Sequence, residues 1–166
     1  MRLSIHRFPD PLLKRPTRRV ERVDRTVRRL VGDLIRTMRH HPRCVGLAAP
    51  QIGSAWRLAV MDGTGHPRVL RSHGLLVLIN PVIEAADGEV IQREGCLSIP
   101  DLTANVRRAA RIRLRALDQF GAGFALVLEG FEAIIAQHEV DHLDGRLFLD
   151  RVANPATDVF RRQRDL

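Results

Sequence analysis

Two histidines and a glutamate in the stretch QHEVDHLDG, residues 137–145, have the types and spacing to bind a metal ion. On a helix, His138 and His142 lie one turn apart and continue the apolar face that turns toward the core. Two buried neutral imidazoles can share one ion, whereas two buried histidinium ions would repel each other. Glu139 lies beside them, where the H-E-x-x-H pattern places a general base that acts on a metal-bound water. The alternative is a helix in which this pattern occurs by chance.

A third metal ligand is expected outside this helix, because catalytic zinc-type sites use three protein ligands and leave one position open. Cys96 is the natural candidate, in the segment EGCLSIP at residues 94–100, where Gly95 permits a tight backbone and Pro100 ends the extended run. The alternative is that Cys96 is a small buried hydrophobic residue, as most free cysteines are. The remaining histidines lie in polar or loop-like contexts and are weaker candidates: His6, His40, His41, His66 and His73.

A third segment, CVGLAAPQIG at residues 44–53, combines small residues with one amide side chain. Small residues let a backbone approach a ligand closely. The amide of Gln51 is a neutral donor suited to a developing oxyanion. Taken alone, this segment could also be an ordinary loop between a helix and a strand.

Together, the three segments resemble the signature motifs of the peptide deformylases, in that family's order and at its spacing. These motifs are VGLAAPQ at 45–51, EGCLSIP at 94–100 and QHEVDHLDG at 137–145, and the resemblance extends from about Phe8 to Val152. The family removes the N-formyl group from the initiator methionine of nascent bacterial or organellar proteins. The resemblance therefore implies a hydrolase that acts on N-formylmethionyl nascent peptides and releases formate.

The resemblance also implies a metal site with defined ligands. Cys96, His138 and His142 would hold one divalent ion, and Glu139 would act as general acid and base. One thiolate and two imidazoles suit zinc, iron, nickel or cobalt, so the ligand types alone do not choose among them. The family resemblance implies Fe²⁺ as the native ion. A thiolate beside ferrous iron predicts sensitivity to oxygen.

The substrate contacts that the resemblance implies involve the first two segments. Gln51 and the backbone N–H of Leu97 would stabilise the oxyanion, and Gly46 would hydrogen-bond the bound peptide. Four apolar residues are candidates for the pocket of the methionine side chain: Val45, Phe131, Ile134 and Ile135. Ordinary core packing is the alternative for each of them.

Cys44 departs from the family pattern, which usually has glycine at this position. If the position requires a positive φ, a cysteine there would strain the loop by about 1 kcal/mol or more. Cys44 also offers a second thiol near the site. Because it lies outside the three-ligand pattern, we interpret it as a tolerated substitution and not as a ligand.

The elements that must position these residues can be predicted from hydrophobic periodicity. Asp24 caps a helix that Pro42 stops, and a second helix runs from about Phe131 to Leu143 and ends at Gly145. Strand-like runs lie between the helices, at 57–62, 75–80, 82–92, 111–118 and 124–130. The run at 82–92 is predicted to turn at Asp87-Gly88 as a hairpin, and QFGAG at 119–123 to turn the next pair.

These elements predict an α+β fold in which small antiparallel sheets pack around a central C-terminal helix that carries the H-E-x-x-H motif, with a further N-terminal helix. One catalytic domain is expected over residues 1–166, with a core at about 8–152 and a short basic tail at 153–166. The end of this tail, VFRRQRDL, follows a fold that looks complete. Its basic residues predict weak ribosome association, and a solvated tail is the alternative.

Composition excludes several other classes of protein. The net charge of +8 favours polyanionic partners, but no tyrosine and one tryptophan leave few rings for base stacking, so sequence-specific nucleic-acid recognition is not expected. Two cysteines are too few for a disulfide scaffold. No apolar run approaches the ~20 residues of a membrane span, and the N-terminus lacks a secretory h-region. A soluble protein of the bacterial cytoplasm is expected, with an organellar location less favoured.

Two other function classes remain open from the residues. A metallopeptidase would share the H-E-x-x-H chemistry, but it usually takes a downstream histidine or glutamate as its third ligand, and the segments at 44–53 and 94–100 argue against it. A non-catalytic metal-stabilised module would close the coordination shell with a fourth protein ligand. Assays with formyl peptides and internal peptides, and an open coordination position, distinguish these classes.

Overall fold

Within residues 3–163, which the computed structural model describes, the chain forms two α-helices and eight β-strands, and the predicted α+β class is confirmed. Helix α1 (Arg25–His40) begins where the Asp24 carboxylate accepts a hydrogen bond from the Val27 amide at 2.9 Å. Helix α2 (Gly130–Leu143) ends before Gly145, which has a left-handed φ of 73°. The strands are β1 (Gly46–Ala48), β2 (Leu58–Asp62), β3 (Leu75–Asp87), β4 (Val90–Cys96), β5 (Ile99–Arg108), β6 (Arg111–Leu117), β7 (Gly123–Glu129) and β8 (Val159–Arg161).

The strands form two antiparallel sheets with α2 between them. The larger sheet has the order β1-β2-β3-β6-β7, and the smaller has the order β4-β5-β8. Alternation along β6 directs Ile112 and Leu114 toward α2, while Arg111 and Arg113 face solvent. Helix α1 packs on the opposite face of the larger sheet through Val31 and its neighbours. Both β1 and β4 are edge strands, and both contribute to the functional cleft.

The predicted hairpin at Asp87-Gly88 is wrong, although the chain does turn there. Gly88 has a φ of 68°, but β3 pairs with β2 and β6, whereas β4 pairs with β5 in the other sheet. The turn residues therefore carry the chain from one sheet to the next. A local turn signal does not identify the strand that supplies the ladder hydrogen bonds, because both edges of β3 are already occupied.

Two further strand boundaries differ from the prediction. The runs at 75–80 and 82–87 belong to one strand, β3, with an irregularity between Ile79 and Val82. Pro100 does not end an extended segment, since β5 continues from Ile99 to Arg108. The register shifts between the pairs Gly95–Thr103 and Cys96–Ile99, so Pro100 lies in a bulge where its missing N–H is tolerated.

The tail is not an appendage to a completed fold. Strand β8 pairs with β5, with Thr103 opposite Phe160 and Leu102 opposite Arg161. The end of the predicted basic tail, Arg164, Asp165 and Leu166, lies outside the described residues. In the described part of the chain, neither helix has the length and apolar character that a membrane span requires.

Candidate active site

The proposed ligands come from β4 and α2 and meet in the interior. Cys96 is the last residue of β4, and His138 and His142 lie one turn apart on α2. Their ligand atoms lie within 4.8 Å of one another, with Cys96 Sγ 3.3 Å from His142 Nε2. Among residues 3–163, no other group of three or more potential ligand side chains meets the same proximity, so none of the five other histidines belongs to such a group.

The ionisation of Cys96 suits a cation. Burial opposes ionisation of this thiol, but the nearby imidazoles of His142 and His138 outweigh it and hold its pKa well below the usual range. The hydrogen bonds and proximity of His138 to Cys96 and Glu94 raise the pKa of His138 despite its burial, so a metal ion that binds there must displace a proton from the ring. A thiolate sulfur and an imidazole nitrogen on one tetrahedral ion would be about 3.5 Å apart. The donor set and its spacing therefore fit a single divalent metal ion.

A carboxylate fixes the orientation of His138. Nδ1 of this ring lies 2.8 Å from Oε2 of Glu94, which leaves Nε2 available on the side of the cluster. Glu94 also accepts hydrogen bonds from Nε of Arg108 at 2.7 Å and from Nη2 at 3.0 Å. Burial tends to raise the pKa of Glu94, but Arg108 and His138 lower it to about 2. A carboxylate held in this way selects the tautomer and the position of a metal-binding histidine.

The same arginine links the small sheet to α2. Nη1 of Arg108 donates to Asp141 at 2.6 Å, and Arg151 donates to the other oxygen of Asp141 at 2.9 Å. Glu94, Arg108 and Asp141 are all at least nine-tenths buried. The sequence motifs do not predict this network. Glu94 and Asp141 are acidic residues inside the motifs, so the sequence could have indicated them as members of a charged network. Nothing in the sequence indicates Arg108, because β5 was not predicted over its full length.

Glu139 lies at the base of a cleft with a volume of about 930 Å³. Its side chain is almost fully buried, and Oε2 has no hydrogen-bond partner within the described residues. Burial raises the pKa of Glu139 to about 7, and the neighbouring charges of His138 and His142 oppose this shift. Gly46 packs directly against the carboxylate, where a Cβ atom would collide with Oε1. The unpaired oxygen and the absence of a side chain on Gly46 leave this carboxylate room to act on a ligand.

Gln51 reaches the site from the segment after β1. Its Oε1 accepts a hydrogen bond from the Ala48 amide at 3.0 Å, which directs Nε2 toward Cys96 Sγ at 3.3 Å and Ser98 Oγ at 3.2 Å. Leu97 follows Cys96 in the turn between β4 and β5 and lines the same cleft. The four pocket candidates also line it: Val45, Phe131, Ile134 and Ile135. The structure thus brings the predicted site residues together around one cleft.

The sequence matches the polypeptide deformylase family over residues 2–158. The chain belongs to this family. The peptide deformylase of Syntrophobacter fumaroxidans is 41% identical over 162 residues, which cover 97% of this chain and 92% of that protein. A peptide deformylase crystal structure from Thermus thermophilus is 42% identical, with a TM-score of 0.84, and covers 93% of this chain and 88% of that one. A Met-Ala-Ser bound peptide deformylase from Acinetobacter baumannii is 30% identical, with a TM-score of 0.85 and coverage of 92% and 99%.

Membership in the deformylase family establishes the type of reaction that this chain catalyses. Peptide deformylases are metal-dependent hydrolases that remove the N-formyl group from nascent peptides, and this chain is such an enzyme. The cluster of Cys96, His138 and His142 is the place in the described structure where a metal can be held. The recognition of the family from its three segments is therefore confirmed.

Cys44, where deformylases usually have glycine, is accommodated without the expected backbone strain. The positive φ in this loop belongs to Arg43, at 64°, and Cys44 has no positive φ. The Cys44 thiol donates to the carbonyl oxygen of Gly46, with Sγ 3.1 Å from that oxygen. Burial, with a further contribution from the charge of Glu139, raises the pKa of Cys44 to about 12. It therefore remains a neutral thiol, which is a poor metal ligand.

Proposed function

We propose that this deformylase hydrolyses N-formylmethionyl peptides with one divalent metal ion held by Cys96, His138 and His142. The observation that carries the proposal is the placement of an unpaired buried carboxylate, Glu139, beside three converging ligand atoms at the base of an open cleft. When bound, a divalent ion supplies polarisation of the formyl carbonyl and lowers the pKa of water.

Glu139 carries the proton in this proposal. It accepts a proton from the attacking water as the new C–O bond forms at the formyl carbon. It then donates that proton to the amide nitrogen as the C–N bond breaks, which releases formate and a free α-amino group. A carboxyl group whose pKa lies near 7 can serve in both directions at neutral pH.

We propose that Gln51 and Leu97 stabilise the negative charge that develops on the carbonyl oxygen. The Nε2 group of Gln51 is already directed into the site by the bond from Ala48 to its other amide atom. Because this orientation is set before substrate arrives, the donor requires little reorganisation during the reaction. The backbone N–H of Leu97, next to Cys96, is the second proposed donor.

The cleft is suited to an extended peptide. It lies between the edge strands β1 and β4, whose free backbone groups can pair with an added strand. We propose that Gly46 hydrogen-bonds the peptide backbone and that Val45, Phe131, Ile134 and Ile135 receive the methionine side chain. A relative, the peptide deformylase of Acinetobacter baumannii, has been crystallised with Met-Ala-Ser bound, which supports a methionyl peptide as the ligand.

We propose Fe²⁺ as the native ion, with Zn²⁺, Ni²⁺ or Co²⁺ able to occupy the same ligands. A thiolate ligand makes a ferrous site vulnerable to oxidation of the metal and then of Cys96. Protein prepared without oxygen should contain iron and keep its activity longer than protein prepared in air, and nickel substitution should protect it. Equal decay of iron and nickel forms in air would contradict this assignment.

Turnover of formyl-Met-Ala-Ser, measured with metal content on the same anaerobic preparation, tests the proposed function. Acetyl-Met-Ala-Ser is the matched control, and we expect little cleavage of it because its methyl group has to fit where the formyl group has only a hydrogen. A longer unblocked peptide detects any metallopeptidase activity. Cleavage of the internal peptide, or metal binding without turnover of the formyl peptide, would contradict the proposal.

We further propose that the enzyme acts in the bacterial cytoplasm and associates weakly with the ribosome. The support is the net charge of +8, which favours contact with RNA phosphates at low salt. Co-sedimentation with ribosomes should therefore decrease as salt increases, and removal of residues 162–166, which contain two arginines and one aspartate, should weaken it. Binding that is absent or insensitive to salt would contradict this proposal.

A further inference from the structure

The mouth of the cleft is strongly basic. Four arginines with exposed side chains line it: Arg43, Arg68, Arg93 and Arg162. They come from both walls, with Arg43 and Arg68 on the loops around the larger sheet and Arg93 and Arg162 on the small sheet and the segment after it. The carboxylates that line the same cleft, Glu94 and Glu139, are buried at its base and do not face the mouth arginines through solvent.

Three of these arginines lack a carboxylate partner within residues 3–163. Elsewhere on the surface, arginines pair with acids, as Arg113 does with Glu84 at 3.2 Å. The guanidinium groups of Arg68, Arg93 and Arg162 form no such ion pair in the described part of the chain. Their positive charges are therefore not neutralised by ion pairs within residues 3–163.

Contacts with neighbouring groups hold these side chains beside the cleft. The guanidinium carbon of Arg93 lies 3.6 Å from the centre of the Phe160 ring, and its Nε donates to Asn105 at 2.9 Å. Arg68 lies over Phe131, with 5.6 Å between its guanidinium carbon and the ring centre. A Cβ atom on Gly95 would collide with the guanidinium group of Arg162. Partly ordered cations lose less conformational entropy when they bind an anion.

We infer that Arg68, Arg93 and Arg162, the three arginines without an ion pair in the described part of the chain, select substrates with acidic side chains in the residues that follow the formylmethionine. This inference rests on the proposed function, since a chain whose formyl group reaches Glu139 must leave the cleft past Arg68 on one wall and Arg93 and Arg162 on the other. An aspartate or glutamate there gains attraction from unpaired arginines, whereas a lysine or arginine is repelled. The arginines thus determine sequence preference downstream of the methionine.

Three amidated peptides test the inference: formyl-Met-Ala-Ser, formyl-Met-Asp-Glu and formyl-Met-Lys-Arg. Amidation removes the terminal carboxylate, so any difference in charge among the peptides comes from their side chains alone. At low ionic strength we expect kcat/KM to be about fivefold higher for the acidic peptide than for the neutral one, and lower again for the basic peptide. The ratio of kcat/KM between the acidic and the neutral peptide should approach one at about 0.5 M NaCl, because charges are then screened within a few ångströms.

Two variants locate the effect. The double variant Arg93→Gln/Arg162→Gln should lose most of the ratio between acidic and neutral peptides, and Arg68→Gln should reduce it. Arg113→Gln is the matched control, because this arginine lies on the solvent face of β6, away from the cleft, and should keep the wild-type ratio. If a substitution lowers kcat/KM by the same factor for every peptide, the ratio between the acidic and the neutral peptide does not change.

Equal kcat/KM for the three peptides, or a wild-type ratio in the double variant, would overturn the inference. It would also fail if polyuridylate inhibited the wild type and not the double variant while the peptides gave equal values, since the arginines would then bind RNA. A failure to hydrolyse even the neutral formyl peptide would instead count against the proposed function. A failure of this inference can therefore be distinguished from a failure of the proposed function.

Discussion

At the scale of single residues, the pKa values of two cysteines in one cleft are shifted in opposite directions. The imidazoles around Cys96 outweigh its burial and lower its pKa, whereas burial and the charge of Glu139 raise the pKa of Cys44 to about 12. Burial also raises the pKa of Glu139, but only to about 7, and one oxygen of this carboxyl group has no hydrogen-bond partner within the described residues. The surroundings of each residue thus favour a different role: ligand, spectator and proton carrier.

Replacement of Glu139 by glutamine should separate metal binding from turnover. The amide has nearly the shape of the carboxylate and the three proposed ligands remain, so the metal content should stay close to that of the wild type. Turnover of formyl-Met-Ala-Ser should fall by about 10²-fold or more, because the amide cannot accept the proton of water. Near-normal kcat in a metal-loaded variant would remove Glu139 from the proposed chemistry.

Matched substitutions of the two cysteines test the ligand assignment. Cys96→Ser should lose most of its metal at neutral pH, since a serine hydroxyl is a far poorer ligand than a thiolate. Cys44→Ser should retain the metal, because its side chain only donates to the Gly46 carbonyl. Metal content and turnover would be measured on both variants side by side. Loss of metal from Cys44→Ser alone would show that the assignment is wrong.

At the scale of elements, local patterns predicted some of the structure and non-local pairing decided the rest. Helix α1 and the pair of β6 and β7 follow from capping, periodicity and alternation within single stretches of chain. The change of sheet after β3 depends on which strands compete for its edges, and no local signal reports that competition. The three motif segments could be identified from the sequence because the residues that define each motif lie next to one another in the chain. The partners of Glu94 were missed because Arg108 reaches it from β5.

Asn80 shows how a distant contact fixes an element. It sits at the irregularity in β3 with a φ of 52°, a conformation that asparagine tolerates better than most residues. Its amide donates to the carbonyl of Val20 at 2.7 Å, and its carbonyl accepts from the Val20 amide at 2.8 Å. These bonds tie the segment before α1 to the larger sheet across 60 residues of sequence.

Asn80→Ala should therefore destabilise the fold by about 2–4 kcal/mol, because both backbone groups of Val20 would be left buried without partners. Asn154→Ala is the control, since Asn154 is exposed in a turn and its side-chain oxygen accepts a local hydrogen bond from the Ala156 amide. Denaturant unfolding of both variants gives the two free energies. A loss below about 1 kcal/mol for Asn80→Ala would mean that the contact with Val20 contributes little to stability.

At the scale of the whole molecule, the proposed metal site joins the small sheet to α2, beside an apolar cluster in which Phe148, after α2, packs with Ile99 and Val106 of the small sheet. Cys96 belongs to the small sheet, and His138 and His142 belong to α2, which packs on the larger sheet. The buried pairs of Arg108 with Glu94 and Asp141 cross the same junction without a metal. The protein should therefore remain folded when the metal is removed, but with a weaker connection between the small sheet and α2.

Metal removal should lower the melting temperature measurably. An ion present at about 100 times its dissociation constant stabilises the folded state by about 2.7 kcal/mol. For a chain of this size each kcal/mol corresponds to about 2–4 °C, so chelation should lower the melting temperature by about 5–10 °C. Hydrogen exchange should rise most at the end of β4 around Cys96, because that strand loses its bond to α2. The Cys96→Ser variant should melt at the same temperature with and without chelator. An unchanged melting temperature of the wild type after verified metal loss would show that the ion does not stabilise this junction.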